Sequence, residues 1–204
     1  MTEIEELRQE VKQLRRELQL MKLRRQATPH FLFNSISVAM SLCLQSPKKS
    51  VLFLRHMSRM YRYLLTYGNE YHVPIEQEIA MLGQYYELMS MRHVDCIQLN
   101  ISKEVMNLRG YPLPPLSLQG LLENAIKHNT HTKEHPLQVF ITRQKDYLCI
   151  SNNMMPLVEQ IPTTKKGLAY IRETMLLLFN KEIIVINDGK NFTVKIPLVI
   201  INNA

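Results

Sequence analysis

Residues 29–34 read PHFLFN, and this stretch decides how the first half of the chain folds and what it does. A proline directly before a histidine removes one helical hydrogen bond and bends a helix. Asn34 follows His30 by four residues, so the two share one helix face. These residues alone leave two interpretations open. Either Pro29 starts a helix and His30 is a surface residue, or the position requires an exposed, oriented imidazole.

The residues before this stretch carry a heptad repeat. Apolar residues alternate at spacings of three and four, which predicts a coiled coil of about three heptads. A single amphipathic helix lying on its own domain is the alternative. Continuing the register puts His30 at an f position, facing away from the seam. The seam consists of Ile4, Leu7, Val11, Leu14, Leu18 and Met21.

A helical hairpin is predicted to follow. Pro47 suits the first turn of a helix that runs to Tyr67, and the short polar connection Gln45-Ser46 makes it antiparallel to the helix before it. Two such hairpins, one from each of two chains, would form a dimeric four-helix bundle. Another helix is predicted to open at Pro74, so the first half of the chain should be entirely helical.

From about Asp95 the pattern changes to short strands separated by helices. Strands in hairpins with helices between them predict an α/β two-layer sandwich, and the chain as a whole is therefore α+β. Turns are expected at Lys145-Asp146 and at Asp188-Gly189. The predicted strands are 97–101, 139–142, 147–150, 182–186 and 192–201, and the predicted helices are 116–129 and 168–179.

Composition narrows the class of protein. The chain has 204 residues, of which 46% are hydrophobic and 21% charged, as in globular proteins. It has no apolar run of the roughly 18–20 residues needed to cross a bilayer, and its acidic first residues are not a signal peptide. Three widely spaced cysteines indicate reduced thiols, so we expect a cytoplasmic protein. The net charge is +7, and the first helix is rich in basic residues, which a solvated face explains better than nucleic-acid binding.

Four polar residues interrupt the apolar pattern of the helix predicted at 116–129. Glu123, Asn124, Lys127 and His128 fall on adjoining parts of one helix face. An Asn carbonyl beside a carboxylate can ligate Mg²⁺, and a lysine can meet phosphate charge. An exposed polar helix face is the alternative. Zinc binding by the loosely spaced His128, His131 and His135 is less favoured, because loop histidines explain them.

The two segments together resemble the LytS-like sensor histidine kinases. These carry an NPHFLFN box and an LVENAIKH box, and this chain reads PHFLFN at 29–34 and LLENAIKH at 121–128. The stretches RMYRY at 59–63, PIEQE at 74–78 and PLPPL at 112–116 also match. The resemblance covers about residues 24–200.

The resemblance implies a domain organisation and partners. It implies a coiled-coil signalling linker at 1–27, dimerisation and phosphotransfer helices at 28–93, and a Bergerat-type ATP-binding domain at 94–204. It further implies a homodimer that passes phosphate to a response regulator of the LytTR type, with no direct nucleic-acid contact. Any membrane attachment would come through an N-terminal sensor segment that this sequence does not contain.

The resemblance also implies residue roles. His30 would be the phosphoacceptor for the γ-phosphate of ATP, with Glu123 orienting it or accepting its proton. Asn34 would then position a water for dephosphorylating the regulator. Asn124 resembles the family's Mg²⁺ ligand, and Lys127 and His128 would line the phosphate side.

The nucleotide boxes depart from the family pattern. The adenine box, usually Asp-x-Gly-x-Gly, here reads ISNNMMP at 150–156, so the carbonyl of Asn152 or Asn153 would have to accept the adenine amino group. The second glycine box keeps only Gly167 and Leu168, and the lid between the boxes is limited to 157–164. Two interpretations follow: a working kinase with a minimal ATP site, which we favour, or a degenerate kinase that acts through partner binding or phosphatase control.

Overall fold

The computed structural model describes Glu5, residues 29–155 and residues 166–200, with side chains for Glu5, 35–155 and 167–200. The predicted coiled coil and the predicted lid lie outside the described residues, as do the side chains of His30 and Asn34.

The first half of the described chain is helical, as predicted. The described part of α1 covers Pro29–Gln45, α2 runs from Pro47 to Tyr67 and α3 from Ile75 to Arg92. Ser50 is buried at the turn of the α1–α2 hairpin, where its hydroxyl donates to the Ala39 carbonyl at 3.1 Å. A buried hydroxyl needs a hydrogen-bond partner, and the partner of Ser50 lies on α1. The bond therefore fixes α2 against α1.

The second half contains a five-stranded mixed sheet with helices packed on one face. The strand order is β2-β4-β5-β7-β6, with β2 parallel to β4 and all other neighbours antiparallel. The elements are β2 Ile97–Ile101, α4 Lys103–Met106, α5 Ser117–His128, β4 Leu137–Gln144, β5 Tyr147–Asn153, the described part of α6 Lys166–Phe179, β6 Ile184–Asn187 and β7 Asn191–Pro197.

Most of the predicted elements are confirmed. Strand β2 and helix α2 have the predicted limits, and both predicted hairpin turns are present. The strand predicted over 192–201 was too long, since it ends at Pro197, which has no amide hydrogen to continue a ladder. The sequence reading also missed α4 and a small two-stranded sheet between β1 (Val73–Pro74) and β3 (Pro112–Leu113).

One continuous core joins the helices to the covered face of the sheet. Residues 148 and 150 of β5 face this core, and α3, α5 and α6 contribute the opposing side chains. Alternation along the strands and the 3.6-residue helical period bring these apolar positions to one side of each element. Fully buried members include Leu82, Leu122, Ile141, Leu148 and Ile171. The architecture is therefore mixed α+β, in agreement with the predicted class.

Candidate functional site

Helix α5 carries the polar cluster predicted from the sequence. Its buried face consists of Leu118, Leu121, Leu122 and Ala125. The opposite side presents Glu123 to solvent and leaves Asn124, Lys127 and His128 half-buried. The helical period thus separates the residues that hold α5 on the sheet from those available to a ligand.

Asn124 meets α6 at Gly167. A Cβ atom added to Gly167 would lie 3.3 Å from Nδ2 of Asn124, tighter than ordinary van der Waals contact. Within the described parts of the chain, the Asn124 amide makes no hydrogen bond. The glycine therefore permits close approach of the α6 backbone to an amide whose oxygen is available as a ligand. Leu168, the next residue, is partly buried against the core.

Glu123 is exposed but tied to its neighbours. Its carboxylate accepts a hydrogen bond from Nε2 of Gln119 at 3.2 Å. On its other side Glu123 faces Tyr85 of α3. The pKa of the Tyr85 hydroxyl is raised first by burial and then by the nearby Glu123 charge. Glu123 therefore has a defined position between solvent and α3, as a group that handles protons requires.

The two asparagines at the end of β5 lie on opposite faces of the sheet. Asn152 is only 6% exposed and pairs with Val139 on the face that carries the helices. Its Nδ2 donates to the Asn153 carbonyl at 2.7 Å, and within residues 29–155 and 166–200 its Oδ1 has no hydrogen bond. Asn153 is engaged elsewhere: its Oδ1 accepts from the Gln138 amide at 2.8 Å, and its Nδ2 donates to the Pro136 carbonyl at 3.2 Å.

Asn129, which the sequence reading did not single out, links α5 to the end of β5. Its Nδ2 donates to the Ala125 carbonyl at 2.8 Å, and its Oδ1 accepts from the Met155 amide at 2.7 Å. The Thr130 amide also donates to the Met155 carbonyl at 2.7 Å. This clamp sets the distance between the polar face of α5 and Asn152. The only sequence signal was an Asn directly after the helix, which is too common to be diagnostic.

The histidines after α5 belong to a separate cluster. His131 lies 3.0 Å from His93 between Nε2 and Nδ1, and its own Nδ1 lies 3.1 Å from the Asn129 carbonyl. The pKa of His128 is lowered by burial and by Lys127, so its imidazole is neutral at neutral pH. Among the described residues, no group of three or more His, Cys, Asp or Glu side chains could hold a metal ion. His128, His131 and His135 thus do not form a common metal site.

The structure places His30 in the described part of α1, at the second residue. Its side chain and that of Asn34 are not described, so their roles remain predictions. Within the described part of the chain, no helix is both long and apolar enough to span a bilayer.

Comparison with known proteins identifies the class. Residues 18–97 match the family described as histidine kinase. The sensor protein kinase HptS of Staphylococcus aureus strains USA300 and COL is 30% identical over 162 residues, which are 78% of this chain and 30% of HptS. Histidine kinases are thus the class that the sequence boxes and these matches define. Within that class, the two sequence boxes and the match over residues 18–97 are similar to those of the LytS-like histidine kinases.

Two solved structures were also similar. A histidine kinase AdeS of Acinetobacter baumannii matches with a TM-score of 0.41 and 15% identity, covering 84% of this chain and 99% of AdeS. The catalytic domain of histidine kinase ThkA matches with a TM-score of 0.44 and 16% identity, covering 62% of this chain and 97% of that domain. The chain spans about a third of the length of the curated relatives it matches, 30% in the case of HptS.

Replacing Asn129 tests the clamp between α5 and β5. Asn129→Ala leaves the Met155 amide without its partner, and a buried unpaired amide costs about 1–3 kcal/mol. We expect the free energy of unfolding, measured by urea denaturation, to fall by about that amount. The exposed Asn100→Ala is the matched control and should change stability by less than about 0.5 kcal/mol. Equal losses in the two variants would contradict the clamp.

The His93–His131 pair predicts a pH dependence of stability. The pKa of His93 is lowered from 6.5 by burial first, then by His131 and Arg92. Because the pKa of His93 is lower in the folded chain, the unfolded chain takes up the proton at higher pH than the folded chain does. The neutral His93 therefore contributes fully to stability above pH 6.5, and this contribution is lost as pH falls through the His93 pKa of the folded chain. His93→Asn should therefore flatten the decline in unfolding free energy between about pH 7 and 5. The exposed-loop variant His135→Asn should keep the wild-type slope, and an unchanged slope in His93→Asn would contradict the prediction.

Proposed function

We propose that this chain is the phosphotransfer and ATP-binding part of a two-component sensor histidine kinase. The observation that carries the proposal is the Asn124 amide, free to bind a ligand, facing Gly167 with Glu123 on the same helix. The PHFLFN box at 29–34 supplies the acceptor histidine that such a site requires. The proposed domain limits are those implied by the resemblance: 1–27, 28–93 and 94–204.

The reaction we propose is phosphoryl transfer from ATP to His30. An imidazole nitrogen of His30 attacks the γ-phosphorus, an N–P bond forms, and the bond from that phosphorus to the β–γ bridging oxygen breaks, so that ADP leaves. Glu123 orients the imidazole or accepts its proton. Most of the acceleration in such a transfer comes from positioning and charge neutralisation, which the protein provides through fixed side chains. The phosphoryl group then passes to an aspartate of a response regulator, with Asn34 proposed to act in the reverse, dephosphorylating direction.

The residues around α5 fit the proposed ligands. Asn124 would hold Mg²⁺, since its amide makes no hydrogen bond to the described residues and amide oxygens suit this ion. That ion would neutralise charge on the transferred phosphate. Lys127 and the neutral His128 line the same face, where they can meet phosphate oxygens.

The two candidates for adenine recognition differ in their hydrogen bonds, and this difference supports a choice between them. The Oδ1 of Asn152 makes no hydrogen bond within 29–155 and 166–200, and it lies on the helix-covered face of the sheet, so we assign Asn152 as the acceptor of the adenine amino group. The Asn153 amide is occupied by Pro136, in the loop before β4, and by Gln138 of β4 itself. Gly167 and Leu168 are proposed to bound the nucleotide from α6.

The α1–α2 hairpin carries exposed apolar residues that support the proposed homodimer. Met40 and Leu44, spaced by four on one face of α1, are 67% and 92% exposed, and Leu65 of α2 is 85% exposed. Monomeric proteins rarely leave such a run in water, and a second hairpin would cover it. We propose that two chains form a four-helix bundle extended by the coiled coil.

The proposed regulator is of the LytTR type, without direct nucleic-acid contact by this chain. Any membrane attachment would come through a sensor segment outside this sequence.

Incubation with Mg²⁺ and γ-labelled ATP tests the kinase. We expect an acid-labile, base-stable label on the wild type that is absent from His30→Ala and retained by the control His135→Ala. Asn124→Ala should slow labelling by about 100-fold, the scale of losing one electrostatic partner of a transition state. No label on the wild type, together with no ATP binding by calorimetry, would show a degenerate kinase instead.

Charged substitutions on the hairpin test the dimer. Met40→Glu combined with Leu44→Glu buries two carboxylates in the proposed interface, so light scattering after size-exclusion chromatography should give half of the wild-type mass. Met106→Glu, at a methionine that is 49% exposed outside the hairpin, is the control and should keep the dimer mass. A wild type that is monomeric at micromolar concentration, or a double variant that remains dimeric, contradicts the proposal.

A further inference from the structure

Glu78 is a buried carboxylate that joins three helices. It lies on α3, is only 1% exposed and accepts four hydrogen bonds. From α2, the Tyr63 hydroxyl donates to its Oε1. From the start of α5, the Leu116 amide donates to Oε1 at 2.7 Å, and the Ser117 hydroxyl and Leu118 amide each donate to Oε2 at 3.0 Å.

The bonds to α5 satisfy a helix terminus. The first amides of a helix have no partner within the helix and carry a partial positive charge, which a carboxylate stabilises. Leu116 precedes the helix with a left-handed backbone (φ 62°), a conformation that is unfavourable for leucine. Its bond to Glu78 holds it there. The direction in which α5 leaves this residue thus depends on a side chain that is distant in sequence.

The same face of α3 reaches the polar cluster. Positions 78, 82, 85 and 89 follow one another at helical spacing, and Leu82 and Met89 are buried in the core. Tyr85, seven residues after Glu78, lies within the field of the Glu123 carboxylate. α3 therefore contacts α5 both at its first turn and beside the residue proposed to handle the His30 proton.

We propose that Glu78, through its bond to Tyr63, is a positioning residue that fixes the orientation of the Glu123–Asn124 face relative to the hairpin bearing His30. The inference rests on the proposed kinase function. A displacement of α2 changes the Tyr63–Glu78 bond, and Glu78 transmits that change to the first amides of α5. The bond is therefore a mechanical link by which the state of the hairpin affects the phosphotransfer geometry.

Two tyrosines of α2, Tyr61 and Tyr63, give a matched test. Tyr63→Phe removes the bond to Glu78 and keeps the three α5 donors to the carboxylate. Tyr61→Phe removes a buried hydroxyl that has no partner among the described residues, so it deletes an oxygen without breaking a bond. We expect Tyr63→Phe to lower kcat of autophosphorylation by about 10-fold, the scale of one hydrogen bond to a charged group, with KM for ATP changed by less than about twofold. Tyr61→Phe should match the wild type in both.

A second measurement separates positioning from loss of folding. Hydrogen exchange at the Leu116 and Leu118 amides should accelerate in Tyr63→Phe and in Glu78→Gln, because the α5 cap loosens, and stay at the wild-type rate in Tyr61→Phe. Equal kcat in Tyr63→Phe and wild type, or a change in KM alone, overturns the inference. A wild type that takes up no label overturns the kinase function instead, and the exchange result then still decides whether Glu78 links α2 to α5.

Discussion

The burial of the Glu78 carboxylate constrains how α2, α3 and the start of α5 are arranged. Removing a carboxylate from water is costly unless hydrogen bonds replace its hydration. Here the replacement donors come from two separate segments, the Tyr63 hydroxyl of α2 and the first turn of α5. Burial raises the Glu78 pKa while its four donors oppose that rise. Any arrangement that separates α2, α3 and the start of α5 leaves a buried carboxylate with too few donors, so the positions of these three segments are coupled.

The elements that the sequence predicted correctly are those specified by local patterns. The helix Pro47–Tyr67 has a proline at its start and a regular apolar spacing, and both hairpin turns have short turn-forming sequences between alternating strands. The elements that it missed depend on partners far away in the chain. β1 and β3 are two residues each and exist because Val73 pairs with Leu113. Nothing in so short a segment indicates a strand until its partner is known.

The candidate site divides in the same way. The face shared by Glu123 and Asn124 follows from the helical period, so sequence reasoning could predict it. The choice between Asn152 and Asn153 could not be made, since adjacent strand residues face opposite ways and only the register with β4 decides which faces the helices. The contact of Gly167 with Asn124 and the clamp by Asn129 arise from tertiary packing between α5, α6 and the end of β5. Gly167 could be singled out from the sequence as the glycine kept in its nucleotide box, but its contact with Asn124 could not.

The parallel pairing of β2 with β4 has a consequence for the order in which the protein folds. An antiparallel hairpin such as β4–β5 can form as soon as its own few residues are made, whereas a parallel pair needs a long crossover to be in place. Residue 97 pairs with residue 137, and α5 lies on the connection between them. Closing so long a loop is entropically slow, so β2 should join a sheet that already exists. Because β2 directly follows α3, the last step in completing the sheet is also the step that brings the helical half of the chain against it.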